Sequence, residues 1–129
     1  MNLPPILSVH LVPPLDVGPS AGEAVLPDEA ICAIDVQADL PAFCGHFPAY
    51  PVLPGVVQID WAVRLAAAYL GTDRLSPRDI QVKFRNIIRP GQPLSLRLKI
   101  DRFRQRLSFT YQSGEQIMAL GQIRLGAKL

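Results

Sequence analysis

The stretch from Val52 to Leu70 limits what this chain can fold into more than any other part of it. It is almost wholly apolar, yet Gln58, Asp60 and Arg64 interrupt it. A bilayer-spanning helix of that length would tolerate few such residues, so the stretch reads as a helix buried inside protein. Pro54 suits its first position, where a missing N–H costs nothing, and Gly71 suits its end. Val56, Val57, Ile59, Trp61, Val63, Leu65 and Leu70 occupy nearly every side, which predicts a helix covered all round.

The covering must come from strands. A short strand is predicted around Ile6–Val12, bounded by Pro13, Pro14 and Pro19, and another over Glu29–Gln37. After a turn over residues 72–79, four strands follow: residues 79–88, 93–101, 106–112 and 116–125. Their turns are Arg89-Pro90-Gly91-Gln92, the basic Arg102-Phe103-Arg104-Gln105, and Ser113-Gly114-Glu115. Leu94, Leu96, Leu98 and Ile100 alternate with Ser95, Arg97, Lys99 and Asp101, so that sheet packs one face and wets the other. The fold class is therefore α+β: an antiparallel sheet wrapped around one long central helix, the hotdog arrangement, with residues 1–129 forming one domain.

Composition fits that reading. Apolar residues make up 49% of the 129 positions and charged residues 19%, enough for a core and unlike a disordered chain. Two cysteines, Cys32 and Cys44, are too few for a disulfide framework, and the proline-broken N-terminus resembles neither a leader nor a membrane anchor. The expected setting is the cytoplasm. Charge is lopsided: residues 1–60 hold seven acids and no Lys or Arg, while all thirteen basic residues follow Asp60. Two explanations stand side by side, an acidic partner docking on a basic face and two halves that neutralise each other.

Few side chains can do chemistry. His10 sits among Val, Leu and Pro and reads as structural. His46 lies in an apolar loop just before the helix, where it is either a packing residue or an imidazole placed for reversible proton transfer near neutral pH. Asp60 lies in the otherwise apolar helix. It is either ion-paired with Arg64 at i,i+4 or turned toward a pocket as a proton donor. Gly55 and Val56 offer unpaired N–H groups at the positive end of the helix, suited to a thioester oxygen on which charge develops. Phe47 and Pro54 are read with them as substrate-binding positions. Cys44 has no basic neighbour to lower its pKa and reads as packing. No metal-ligand spacing is present, and the basic residues lack the interleaved aromatics of a single-strand nucleic-acid platform. Arg102, Arg104 and Arg106, weighed together with Arg85 and Arg89, are the candidate docking site for an acidic partner, and a solvated edge accounts for the same residues as well.

The run Phe43-Cys44-Gly45-His46-Phe47-Pro48, continued by Pro51-Val52-Leu53-Pro54-Gly55-Val56, resembles the G-H-F-P-x-x-P-x-x-P-G signature of 3-hydroxyacyl-[acyl-carrier-protein] dehydratases. Phe84 and Arg89-Pro90-Gly91-Gln92 resemble that family's later strand and turn. The resemblance implies a hotdog homodimer or higher oligomer, with no cofactor and no membrane or nucleic-acid partner. It implies His46 as the base that takes the C2 proton and Asp60 as the acid that protonates the departing hydroxyl. It implies an acyl carrier protein as partner, and the two residues of one site drawn from different subunits. Trp61 and Arg64 depart from the common pattern, which has a small residue and a glutamine there, and residues 56–64 look closer to dehydratases found beside aryl-polyene genes. A hotdog thioesterase would share the fold without requiring His46, and a non-catalytic thioester binder would tolerate loss of His46 or Asp60.

Overall fold

The computed structural model describes residues 3–14, 26–40, 43 and 51–128. Strands β1 (Ile6–Val12) and β2 (Glu29–Asp35) precede helix α1 (Gly55–Leu70). Strands β3 (Leu75–Phe84), β4 (Pro93–Asp101), β5 (Arg106–Ser113) and β6 (Gln116–Ala127) follow it. They form one six-stranded antiparallel sheet in the order β1-β2-β4-β5-β6-β3. The chain thus leaves β2 near one edge, passes through α1, and re-enters the sheet as β3 at the opposite edge. That crossing is what lays the helix along the sheet.

The helix is held by its contact with the sheet's apolar face. Every second residue of β4 (Leu94, Leu96, Leu98, Ile100) is buried, as are Leu107, Phe109 and Tyr111 on β5 and Ala30, Cys32 and Ile34 on β2. They share one core with Val57, Trp61, Ala62, Leu65, Ala66 and Leu70 of α1. Ala62 and Ala66 have no bulk beyond Cβ, so the helix can lie close to the strands. Gly71 ends it in the left-handed conformation at φ 72°, which a glycine adopts without strain.

Three sequence expectations are corrected. Pro54 is the residue before the helix rather than its first, in extended conformation at φ −61° and ψ 146°. The strand expected over residues 79–88 runs from Leu75 to Phe84 instead. Pro77 argued for a turn, but β3 is an edge strand and a bulge falls between Pro77 and Asp79, the two circumstances in which a strand accepts proline. The helix is not covered all round, because a single sheet reaches only one side of it. Val56, Arg64 and Ala68 are exposed along a stripe that also holds Asp60 and Val63.

Part of the charge asymmetry is answered inside the fold. Arg64 pairs with Asp60 at 2.9 Å, Arg97 with Glu29 at 3.0 Å and Arg102 with Asp28 at 3.0 Å, each joining an acid of the first sixty residues to a base beyond them. Arg102 does more than pair. Its Nη2 donates to the Leu70 carbonyl at 2.8 Å and to the Pro27 carbonyl at 2.6 Å, so one guanidinium joins the helix C-terminus, the start of β2 and the β4–β5 turn. A cation there also complements the helix dipole. Arg102→Ala is expected to lower unfolding free energy by roughly 1–2 kcal/mol, the usual worth of a charge-assisted bond. Arg102→Lys, lacking the fork, should recover less than half; a urea titration with an unchanged midpoint in both variants would refute the clamp.

Candidate active site

The first turn of α1 opens onto a cavity of about 600 Å³. It is walled on one side by Val52–Val56 and Gln58, and on the other by Phe84, Arg85, Asn86 and Ile87. A few backbone bonds hold the two walls in register. Leu53 N–H donates to the Ile88 carbonyl at 2.9 Å, which ties the segment before the helix to the segment after β3. The Arg85 and Asn86 N–H groups both donate to the Met118 carbonyl, and Asn86 Nδ2 reaches the Ile117 carbonyl at 2.7 Å, which turns the chain away from the sheet at the end of β3.

At the helix start the Pro54 carbonyl accepts from the Val57 and Gln58 N–H groups at 3.1 and 3.2 Å. The N–H groups of Gly55 and Val56 find no acceptor among the described residues and lie on the cavity wall. These are the orphan donors of a helix N-terminus, carrying its partial positive charge, and they suit an oxygen on which negative charge develops. Gly55 is tight on its other side, since a Cβ built there would lie 2.6 Å from Phe84 Cζ. The Phe84 ring therefore rests directly on the helix backbone.

Asp60 stands five residues further on, about 7.5 Å along the axis. Its Oδ2 accepts from Arg64 Nε at 2.9 Å, and its side chain keeps 26% of its exposure. Of the two readings of Asp60, the described chain realises the ion pair, and the carboxylate lies on the uncovered stripe of α1. Gln58, on the covered side, is 4% exposed; its Nε2 donates to the Leu53 carbonyl at 3.1 Å while its buried Oε1 has no partner among the described residues. Tyr111 supports this turn from below, its hydroxyl donating to the Gln58 carbonyl at 2.6 Å. Burial, with smaller contributions from Cys32 and Asp60, holds that phenol well above its ordinary range, so it remains a donor.

His46, Phe47 and Cys44 lie outside the described residues. Pro54, Gly55 and Val56 all line the cavity. Arg102, Arg104 and Arg106 stand at the other end of the helix, since Arg102 binds the Leu70 carbonyl. Arg102 is engaged internally, Arg104 lies 4.0 Å from Asp101, and Arg104 and Arg106 are exposed. His10 is exposed on edge strand β1. Sequence reasoning missed Gln58, Asn86 and Tyr111. The signal for two of them was present: a glutamine in an apolar helix, and a tyrosine in the inward register of Leu107 and Phe109. Among the described residues no helix is long and apolar enough to cross a membrane.

Comparison with known proteins bears on this geometry. Residues 23–122 match the model of the ApeI-like family, described as ApeI dehydratase. Over 87 residues the chain is 34% identical to the 3-hydroxyacyl-[acyl-carrier-protein] dehydratase FabZ of Rickettsia massiliae, an alignment covering 60% of each chain. The chain thus spans about 60% of the length of the curated relatives it matches. Among solved structures, it is similar to a chain of the dehydratase heterocomplex ApeI:P from Xenorhabdus doucetiae, at 29% identity and a TM-score of 0.78, covering 97% of this chain and 98% of that one. It is also similar to an uncharacterized protein from Erwinia carotovora subsp. atroseptica, at 30% identity and a TM-score of 0.79, covering 98% of both. These matches agree with the hotdog architecture described above.

Two outcomes follow from the site's packing. Gly55→Val must push the Phe84 ring off the helix, so in an aromatic NMR spectrum the Phe84 signals should move while those of Phe109, within the core, stay in place. Unmoved Phe84 signals would show that the ring does not rest on Gly55. Burial pushes the Cys32 thiol up to about 11, so at pH 8 it is protonated and shielded. Peptide mapping after iodoacetamide at that pH should find Cys32 unmodified in the folded protein and modified in urea.

Proposed function

Since the chain belongs to the ApeI-like dehydratase family, we propose that it removes water from a 3-hydroxyacyl thioester held on an acyl carrier protein, giving the trans-2-enoyl thioester. The observation that carries this reading is the pair of N–H groups at Gly55 and Val56, which have no acceptor among the described residues and belong to residues lining a roomy, mainly apolar cavity. A thioester carbonyl bound to them would have its enolate charge stabilised, which makes the C2 proton easier to remove. The similarity to an acyl-carrier-protein dehydratase supports the same substrate class.

In this mechanism the His46 imidazole takes the proton from C2, and the electrons of that C–H bond form the C2–C3 double bond as the C3–O bond breaks. Asp60 gives its proton to the departing hydroxyl, which leaves as water. The cycle closes when the proton held by His46 is returned to Asp60 through solvent. No cofactor enters, because the thioester itself acidifies C2. Asp60 must carry a proton to act, and a neutral carboxyl has no charge with which to hold Arg64. Releasing an i,i+4 pair costs only about 0.3–0.5 kcal/mol, and Arg64 is half exposed and free to turn to solvent.

The chain acts as one catalytic domain, in the cytoplasm, in fatty acid or aryl-polyene-type synthesis. It pairs through the edge of β3, where Ile80 and Phe84 are exposed; Phe84 and Ile87, just beyond the strand, line the same cavity as Val56, which is 69% exposed. An uncovered edge strand with an apolar rim is a ready template for a second chain. In the resulting dimer, His46 of one chain serves Asp60 of the other. The similar ApeI:P dehydratase from Xenorhabdus doucetiae is a heterocomplex, so a different subunit on that edge is the other pairing to test.

His46→Ala and Asp60→Asn should each lower turnover of a 3-hydroxyacyl-carrier protein by roughly two to four orders of magnitude, read by mass spectrometry as loss of water from the acyl chain. Mixing the two inactive variants, with exchange of subunits, should restore about a quarter of wild-type activity, since one site in each mixed dimer keeps both residues. A loss under tenfold in either variant would remove that residue from the mechanism. Release of free acid instead of the enoyl product would indicate a thioesterase.

A further inference from the structure

The dehydration steps leave one buried polar group of the cavity unused. Gln58 lines the cavity at 4% exposure, one helical turn beyond Gly55 and on the same face. Its amide is oriented by a neighbour. Nε2 donates to the Leu53 carbonyl at 3.1 Å, and because a carbonyl can only accept, the NH2 end must be the one turned to Leu53. Oε1 is therefore turned away from it, buried, and without a partner among the described residues.

The backbone that carries this amide is fixed on three sides. The Gln58 N–H donates to the Pro54 carbonyl at 3.2 Å, its carbonyl accepts from the Tyr111 hydroxyl at 2.6 Å, and Leu53 is itself tied to Ile88. Only the last side-chain torsion is soft, since the amide of a glutamine turns in a broad, shallow well. A buried amide oxygen without a donor gives up its bonds to water and gains nothing in return, which is why folded chains contain few of them. In a helix as apolar as this one, a leucine or methionine would fill the same space without that loss. The orphaned acceptor is accounted for by a ligand that brings a donor. A 3-hydroxyacyl thioester bound through its carbonyl oxygen to the Gly55 and Val56 N–H groups leaves its carrier arm at the mouth. Its acyl chain then runs past the next turn of α1, where Gln58 stands about 4.5 Å further along the axis. The acyl part of such a molecule has one hydrogen-bond donor, the hydroxyl on C3, two bonds from the carbonyl carbon.

We propose that Gln58 Oε1 accepts the C3 hydroxyl of the substrate, after a small turn of the amide about its last torsion, and so selects 3-hydroxyacyl chains over other thioesters. The identity of the substrate rests on the dehydratase reading. Nothing covalent happens at Gln58: the hydroxyl keeps its hydrogen, the proton from the acid adds to a lone pair of the same oxygen, and water leaves. The enoyl product lacks the hydroxyl, so it makes no bond to Gln58 and is held less tightly than the substrate.

The test separates binding from turnover by working in the His46→Ala background. Two pantetheine thioesters of one acyl length, the 3-hydroxyacyl and the saturated acyl form, are titrated by isothermal calorimetry into that protein with and without Gln58→Met. The methionine matches glutamine in length and has no amide oxygen. The substitution should weaken the 3-hydroxyacyl ligand by roughly tenfold, as expected for one hydrogen bond to a buried group, and leave the saturated ligand at least as tight as before. Retained affinity for the saturated ligand also demonstrates a folded site. Gln58→Leu, the second apolar replacement, should show the same selective loss. Equal weakening of both ligands in the two variants would make Gln58 a purely structural residue and overturn the proposal, and so would unchanged affinity for both. Turnover is read separately with His46 in place. Selective loss of the 3-hydroxyacyl ligand, with no turnover of any 3-hydroxyacyl thioester by the intact chain, would leave the hydroxyl contact standing and refute the dehydratase reading. Undiminished preference for the hydroxyl in Gln58→Met, with dehydration by the intact chain, would do the reverse.

Discussion

The burial of one side of α1 on the sheet underlies everything else in this molecule. Trp61, Leu65 and Leu70 have no other place out of water, and Ala62 and Ala66 allow close packing of helix on strands. Once the helix lies there, its position along the sheet is set by what binds its ends. At the C-terminus Gly71 reverses the chain and Arg102 holds the Leu70 carbonyl. At the N-terminus Leu53 is tied to Ile88, and Tyr111 reaches up to the Gln58 carbonyl. The site is a by-product of that arrangement, because the first turn of the helix, whose leading N–H groups have no acceptor among the described residues, lines a cavity.

Much of this was legible in the residues. The alternation of β4 is plain because one of its faces is core and the other is water, and the helix limits follow from Pro54 and Gly71. What escaped sequence reading depends on tertiary neighbours. Pro77 reads as a turn unless it is known that its strand lies at an edge. Val56 looks like a core residue, and nothing local marks it as belonging to the side the sheet does not reach. Arg102 reads as part of a basic surface turn because its partner Asp28 is 74 positions away.

The candidate site divides in the same way. Pro54, Gly55 and Val56 were legible as one unit because helix starts have a fixed geometry. Asp60 carried two readings that no local pattern separates, since the i,i+4 spacing to Arg64 and the apolar surroundings are both real. Gln58 is the opposite case: visible as a polar residue in an apolar helix, but with a buried Oε1, lacking a partner among the described residues, that only packing reveals.

The bond between Leu53 and Ile88 has a consequence for how such proteins diversify. It makes the cavity a space between two short connecting segments, one before the helix and one after β3, each anchored in the core by one residue, Leu53 and Ile88. Exposed positions of the second segment such as Ile87 can therefore change in bulk and reshape what fits beside Phe84, while Ile88 stays in the core and the bonds of Arg85 and Asn86 to Met118 keep the strand register. Lineages sharing this sheet and helix can diverge in what the cavity admits by varying the exposed positions of that one segment, so the history of the cavity is written in a connection while the history of the fold is written in the strands.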